Sequence, residues 1–279
     1  MMTEIDWVAR WRALVEARHE QGQRLDRAHG RPDVWGGGRA ARFSAHARES
    51  NTDDPILRHA IALAKDAVVL DVGSGPGRHT LPLARVARRV IALDTSPSML
   101  ALLRENVARE ELTNVDIVEG GWPDVADAAG IADVVICSHA LYGTSEVEPF
   151  IRALDRAARV AVFVQMWLGQ RDGPWLDLFA RVWNEPRRLA PNAIDLFNVA
   201  HSLGYASNFE VTPTRTWRQF RDLDDAVAQS RQEVLNPEGD GIDALVREVI
   251  EPTLTTTPDG VAFARHILRS GIVWWRKEQ

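Results

Sequence analysis

Residues 68–77 read Val68-Val69-Leu70-Asp71-Val72-Gly73-Ser74-Gly75-Pro76-Gly77, an apolar run that passes into three alternating glycines. A second apolar run, Arg89-Val90-Ile91-Ala92-Leu93-Asp94, closes on an acid. A buried strand followed by a glycine-rich turn and a helix brings backbone close to a bound molecule, because glycine has no Cβ to hold it off. The stretch therefore predicts a ligand-binding loop at the end of the first strand of an α/β sheet. The plainer alternative, Asp71 capping an ordinary turn, is weakened by Asp94 standing in register one strand later.

Spacing decides the ligand. A dinucleotide loop follows Gly-x-Gly-x-x-Gly, and here Arg78 occupies the place of its third glycine, while Asp71 stands two residues before Gly73. Gly73, Gly75 and Gly77 with Asp71 instead resemble motif I of the class I S-adenosylmethionine-dependent methyltransferases. The charges agree: a carboxylate beside the loop attracts the ammonium of an amino-acid ligand, whereas beside a pyrophosphate it would repel. Asp94 discriminates less, because an acid closing the second strand accepts ribose hydroxyls in either ligand.

The resemblance implies a Rossmann-like fold, a seven-stranded, mostly parallel sheet flanked by helices, with its last strand antiparallel and inserted between the fifth and sixth. It implies S-adenosyl-L-methionine as cofactor. Carried over by position, Gly73, Ser74, Gly75 and Gly77 form the loop under the methionine part, Asp71 faces its amino group directly or through water, and Asp94 takes the ribose hydroxyls. Thr95 and Met99 border the adenine, although Met99 is equally suited to filling core. After the third strand the family often has a Gly-Asp pair; Glu119-Gly120-Gly121-Trp122-Pro123 departs from it. Gly121 and Trp122 are then expected to serve the adenine through backbone groups and ring cover, the alternative being a Trp packed under the following helix.

Ile136-Cys137-Ser138-His139-Ala140-Leu141-Tyr142 stands at the place of the family's motif IV. Ser138 falls on the cofactor side. His139 is read either as a general base toward an acidified hydroxyl, since imidazole titrates near neutrality, or as a residue holding the loop by a hydrogen bond to backbone. Tyr142 is a candidate contact to the sulfonium or the acceptor. Cys137, inside an apolar strand, reads as a buried small hydrophobe.

Outward from the loop, strands are expected at 68–71, 90–94, 115–119, 133–138 and 160–166, alternating with helices at 55–65, 80–88, 97–109 and 147–158, the pattern of a parallel sheet. Residues 1–54 form an N-terminal helical segment, with helices at 4–28 and 39–50 separated by a break at 33–38. The alternation lapses at about 167–207, where Pro174, Pro186 and Pro191 punctuate short helices, including 175–183 and 194–203. This reads as a lid-like helical insert after strand five, within a methyltransferase domain covering 55–279. A strand at 209–216, helices at 223–234 and 242–254, and a closing hairpin of 261–267 with 271–275 complete the expectation.

Composition narrows the function. The chain of 279 residues carries a formal net charge of -6, without the basic stripe that nucleic acid requires, and Ser138-His139-Ala140-Leu141 stands where nucleic-acid methyltransferases carry Asn/Asp-Pro-Pro-Tyr/Phe. The acceptor is therefore expected to be a small molecule. One cysteine, an N-terminus with Glu4, Asp6 and Arg10, and no long apolar run suggest a cytoplasmic protein away from membranes. No His, Cys or carboxylate grouping has metal-ligand spacing. Ten tryptophans against two tyrosines, several in 35–43 and the insert, suggest an aromatic wall for the acceptor. Two other readings remain open: an NAD-dependent oxidoreductase, disfavoured by Asp71 and Arg78, and a non-catalytic S-adenosylmethionine-binding protein.

Overall fold

The computed structural model describes residues 5–26, 54–170, 173–212, 219–264 and 269–277; the helix expected at 39–50, the break at 33–38 and the aromatic stretch 35–43 lie outside them. In chain order the described strands are β1 (Val68–Val72), β2 (Arg89–Asp94), β3 (Val115–Glu119), β4 (Ala132–Ser138), β5 (Ala158–Trp167), β6 (Asn208–Val211), β7 (Gln219–Phe220), β8 (Leu254–Thr257), β9 (Gly260–Phe263) and β10 (Ser270–Arg276). The main sheet has the order β3-β2-β1-β4-β5-β10-β6. Its first five strands run parallel, and β10 is antiparallel to both β5 and β6. This is the Rossmann-like arrangement expected.

The period-2 alternation of a strand divides the apolar residues between two faces. Leu70, Val72, Val135, Cys137, Val162, Val164 and Val273 point to one core cluster, and Val69, Val134, Ile136, Ala161, Phe163 and Ile272 to the other. The first face is covered by helices α1 (Trp7–Asp26), through Trp11 and Val15, and by Val147–Ala157 and Ala193–Ser202. Helix α2 (Pro55–Ala64) covers the second with Ile56, Leu57, Ala60 and Ala64. Apolar residues on both sides of each central strand explain the near-continuous Val/Ile/Leu runs. Helices α3 (Thr80–Ala84) and α4 (Pro97–Arg109) follow β1 and β2; α4 starts at Ser96, whose hydroxyl accepts the Met99 N–H, with Pro97 in the first turn.

The segment expected as one insert divides between two places. Ala193–Ser202, opened by a capping box of Asn192 and Asp195, packs on the sheet through Leu196, Val199 and Ala200 as the crossover between β5 and β6. Leu176–Trp183 instead joins a third core with residues of the later segment 219–264, including Trp175, Phe179, Phe220, Val227, Val246, Ile250 and Phe263. Among the described residues the expected closing hairpin is not formed. β9 pairs with β7 and β8 in a separate three-stranded sheet, while β10 fills the slot between β5 and β6. Ile272, Val273 and Trp275 are buried to both sides of β10, and a strand apolar on both faces is stable only where both faces are covered. The helix expected at 242–254 ends at Ile250, because Pro252 lies just beyond and the β-branched Thr255, Thr256 and Thr257 favour β8.

Candidate functional site

β1 ends at Val72 and the chain turns at once. Gly73, Gly75 and Gly77 all take positive φ, 77, 54 and 99°, a region in which an L side chain is strained and glycine is not. A Cβ on Gly73 would stand 2.4 Å from the Ala140 Cβ, so the loops after β1 and β4 meet there. One on Gly77 would stand 2.7 Å from Leu103 Cδ1, so this glycine seats the end of the loop against α4.

The loop is held to β2. The N–H groups of Gly73 and Ser74 both donate to the Leu93 carbonyl, at 2.8 and 2.9 Å. Asp94 accepts the Gly75 N–H at 2.8 Å on one oxygen and the Ser96 N–H at 2.8 Å on the other. A carboxylate has about four acceptor positions, so half-buried Asp94 shapes the loop and keeps capacity for hydroxyls. Asp71 is buried and accepts the Thr80 hydroxyl at 2.7 Å. Burial pushes its pKa up, against the opposing charge of His79 and the hydrogen bonds from Thr80. Ser74 Oγ is buried with no hydrogen-bond partner among the described residues. An orphaned hydroxyl costs about 1–3 kcal/mol, and a polar ligand group at the loop would satisfy it.

Beyond β3, a Cβ on Gly121 would meet only Thr95 Cγ2 at 3.8 Å and Asp124 Oδ2 at 3.9 Å. Thr95, Gly121 and the exposed Asp124 thus border one open space at the ends of β2 and β3. Asp124 supplies an acid three residues past the glycine where the Gly-Asp pair was sought, and no spacing rule in the sequence singled it out. Two expected adenine contacts are corrected. Trp122 turns into the core, its indole N–H donating at 3.2 Å to the Phe150 carbonyl of the helix Val147–Ala157, so it packs in the core and does not cover a ring. Met99 is 2 % exposed; the third residue of α4, it is buried as Leu100 is and serves as core.

Beside the glycine loop, three strand ends meet. Ser138 Oγ donates to Gln165 Oε1 at 2.8 Å, and the His139 N–H donates to the Gln165 carbonyl at 2.8 Å. His139 has φ of 57°, unusual for a residue with a side chain. Its Nδ1 lies 2.7 Å from Tyr142 Oη, which also accepts the Trp167 N–H at 2.8 Å, and its Nε2 lies 3.4 Å from Ser270 Oγ. The rings of His139 and Trp167 are 4.2 Å apart. Ser270 was invisible to sequence reasoning, since it opens a strand that was placed in another pairing. Cys137 is buried and its thiol pKa is pushed up by that burial, which makes it inert.

A buried polar cluster adjoins the glycine loop. Asp54, at the N-terminus of α2, accepts Arg78 Nη2 at 2.8 Å and lies 3.1 Å from His79 Nε2. Burial opposes its charge, but the hydrogen bond from His79 and the positive charges of His79 and Arg78 outweigh this and hold the carboxyl well below the usual carboxylate range. No sequence pattern singled out Asp54.

Residues 69–162 match the family described as a methyltransferase domain, over the glycine loop, Asp94 and the end of β4. Over that stretch the chain is similar to class I methyltransferases. Methyltransferases of that class take the methyl group from S-adenosylmethionine. Among solved structures, a putative methyltransferase from Bacillus halodurans is similar with a TM-score of 0.54 at 16 % identity, covering 80 % of this chain and 98 % of that one. Magnesium protoporphyrin IX methyltransferase from Synechocystis PCC 6803 with bound SAH is similar with a TM-score of 0.52 at 16 % identity, covering 98 % of this chain and 100 % of that one. At such identities these likenesses concern the methyltransferase fold.

Sequence relatives share shorter stretches with this chain. A probable ribosomal RNA small subunit methyltransferase A from Methanosphaera stadtmanae is 37 % identical over 71 residues, 25 % of this chain and 26 % of that protein. An uncharacterized protein from Haemophilus influenzae is 28 % identical over 192 residues, 67 % of this chain and 70 % of that protein. A probable cobalt-precorrin-6B C(15)-methyltransferase from Methanocaldococcus jannaschii is 32 % identical over 94 residues, 34 % of this chain and 49 % of that protein. The chain thus spans about a quarter and about half of the two named relatives.

Proposed function

We propose that the protein transfers a methyl group from S-adenosylmethionine to a small-molecule acceptor held between the sheet and the cap built around the third core. The observation that carries this reading is where the cap segments attach. β5 ends at Trp167, β6 ends at Val211 and β10 begins at Ser270, all at the carboxyl edge that also carries Gly73, Asp94 and His139. Ligands of open α/β sheets bind outside that edge, and a covering layer there limits both acceptor size and access of water. The net charge of -6 gives no attraction to a polyanion.

Bound there, the cofactor supplies an electrophilic sulfonium methyl, which needs in-line approach and exclusion of water more than covalent help. Asp94 takes the ribose hydroxyls, Ser74 and Asp71 meet the polar groups of the methionine part, and Thr95, Gly121 and Asp124 border the base. His139, Tyr142 and Trp167 form the acceptor wall. His139, whose Nδ1 meets Tyr142 and whose Nε2 meets Ser270, serves as general base toward the acceptor.

Calorimetric titration with S-adenosylmethionine, S-adenosylhomocysteine and NAD, with Asp94→Ala as control, tests the cofactor. Saturable binding of the first two and its loss in the variant support the proposal; binding of NAD alone, or of nothing by folded protein, overturns it. Transfer of labelled methyl to a metabolite fraction, and not to protein or RNA fractions, tests the acceptor class.

A further inference from the structure

Asp54 has more partners than a helix cap needs. One oxygen accepts the Ile56 N–H at 3.3 Å, which is the capping bond of α2, and the Gln165 Nε2 at 3.3 Å; the other accepts Arg78 and faces His79. Its side chain is 1 % exposed and that of His79 6 %. Serine or asparagine caps a helix as well as aspartate does, and burying an ionised cluster costs desolvation that a neutral cap avoids. The charge at position 54 therefore has another use than capping.

Its partners identify that use. Arg78 and His79 follow Gly77 directly, and the next residue, Thr80, is held by Asp71, so three successive residues at the end of the glycine loop are tied to two buried carboxylates. On the other side, Gln165 passes the connection to the Ser138 hydroxyl and, through its carbonyl, to the His139 N–H. One carboxylate thus sets the glycine loop against the loop after β4, the two segments that touch at Gly73 and Ala140.

We propose that Asp54 is a positioning residue that holds the cofactor loop and the acceptor loop in their binding geometry before any ligand arrives. This rests on the S-adenosylmethionine reading for its functional consequence, but the preorganisation is measurable without ligand. Asp54→Asn keeps a good N-cap and removes the charge that gathers Arg78 and His79. In the ligand-free variant, amide hydrogen exchange over 73–80 and at His139 rises while that of 56–64 stays as in the parent. S-adenosylhomocysteine binding weakens at least about tenfold, about 1.4 kcal/mol. His79→Gln, which keeps a hydrogen-bonding side chain without the charge, shifts both readouts in the same direction by less, and serves if Asp54→Asn does not fold.

Parental exchange over 73–80 overturns the proposal, and so does a rise confined to 56–64, which would mark Asp54 as a cap alone. If the parent binds no S-adenosylhomocysteine, the cofactor reading falls; faster exchange in the variant then still upholds the preorganisation, and unchanged exchange overturns it.

Discussion

The glycine-loop half of the sheet and the cap are stabilised by opposite means. Around the loop, Asp54, Asp71, Ser74 and His79 are polar side chains buried at strand and helix ends, where each must be satisfied by a few specific partners. In the cap, Trp175, Phe179, Phe220 and Phe263 are buried among aliphatic residues, Phe263 meeting Trp175 and Phe220 edge to face at 5.3 and 5.4 Å. Its charges lie outside, as in the pairs Arg181–Glu248 and Arg231–Asp243. The cap gains stability from burial, while the loop region forgoes some of it to hold polar groups in geometry for a ligand.

The largest effect that can break this contrast is in the cap. Trp175→Ala removes a fully buried indole that also donates to Ser230 at 2.9 Å; it is expected to cost about 3–5 kcal/mol, read by denaturant unfolding, while S-adenosylhomocysteine affinity changes less than the stability does. Equal losses of both would mean that the two regions are one cooperative unit. Next comes Asp94→Ala, which removes the acceptor of both Gly75 and Ser96 as well as the proposed ribose contact; at about 1.5–3 kcal/mol for a charged hydrogen-bonding group, calorimetry should show a loss of one to two orders of magnitude in affinity.

Asp71→Asn sharpens the contrast because its two effects have opposite signs. Burial raises the Asp71 pKa, so folding is penalised as pH rises through the interval between the unfolded and folded values, and above it the penalty is full. Asparagine removes the penalty and can still accept from Thr80. The expected result is a higher melting temperature at pH 7 together with weaker binding of S-adenosylmethionine.

Asp54 titrates the other way. Its folded pKa lies below the unfolded one, so its stabilising contribution is complete above the ordinary carboxylate value of about 3.9 and is lost as pH falls further. The urea midpoint difference between the parent and Asp54→Asn should be constant from about pH 7 to 5 and shrink below about pH 4. The smallest effect is expected from Arg181→Gln on the cap surface, at less than about 1 kcal/mol for an exposed pair.

The two regions also differed in how legibly they were written. The strands from β1 to β5 stand within a few residues of their expected positions, because each is a short apolar run closed by a turn and followed by its own helix, and every pairing among them except β1 with β4 joins strands consecutive in the chain. Gly73 and Asp94 stood out as candidates for the same local reason. Asp54, Gln165 and Ser270 were not, since an aspartate before a proline, a glutamine inside an apolar strand and a serine opening a strand carry no pattern until other elements meet them. Trp122 and Met99 show the converse: both had suitable chemistry and spacing, and the direction of their side chains decided against them.

By itself the sequence determined the parallel α/β sheet, the glycine loop and the acid that closes β2, because those depend on periodicity and on conformations available to few residues. Only the tertiary structure decided that β10 enters between β5 and β6, that β9 joins a second sheet, and that 173–183 and 219–264 share one core. An apolar strand specifies that it must be covered, but not by what. That choice is made by burial summed over segments far apart in the chain, and no single window of sequence contains it.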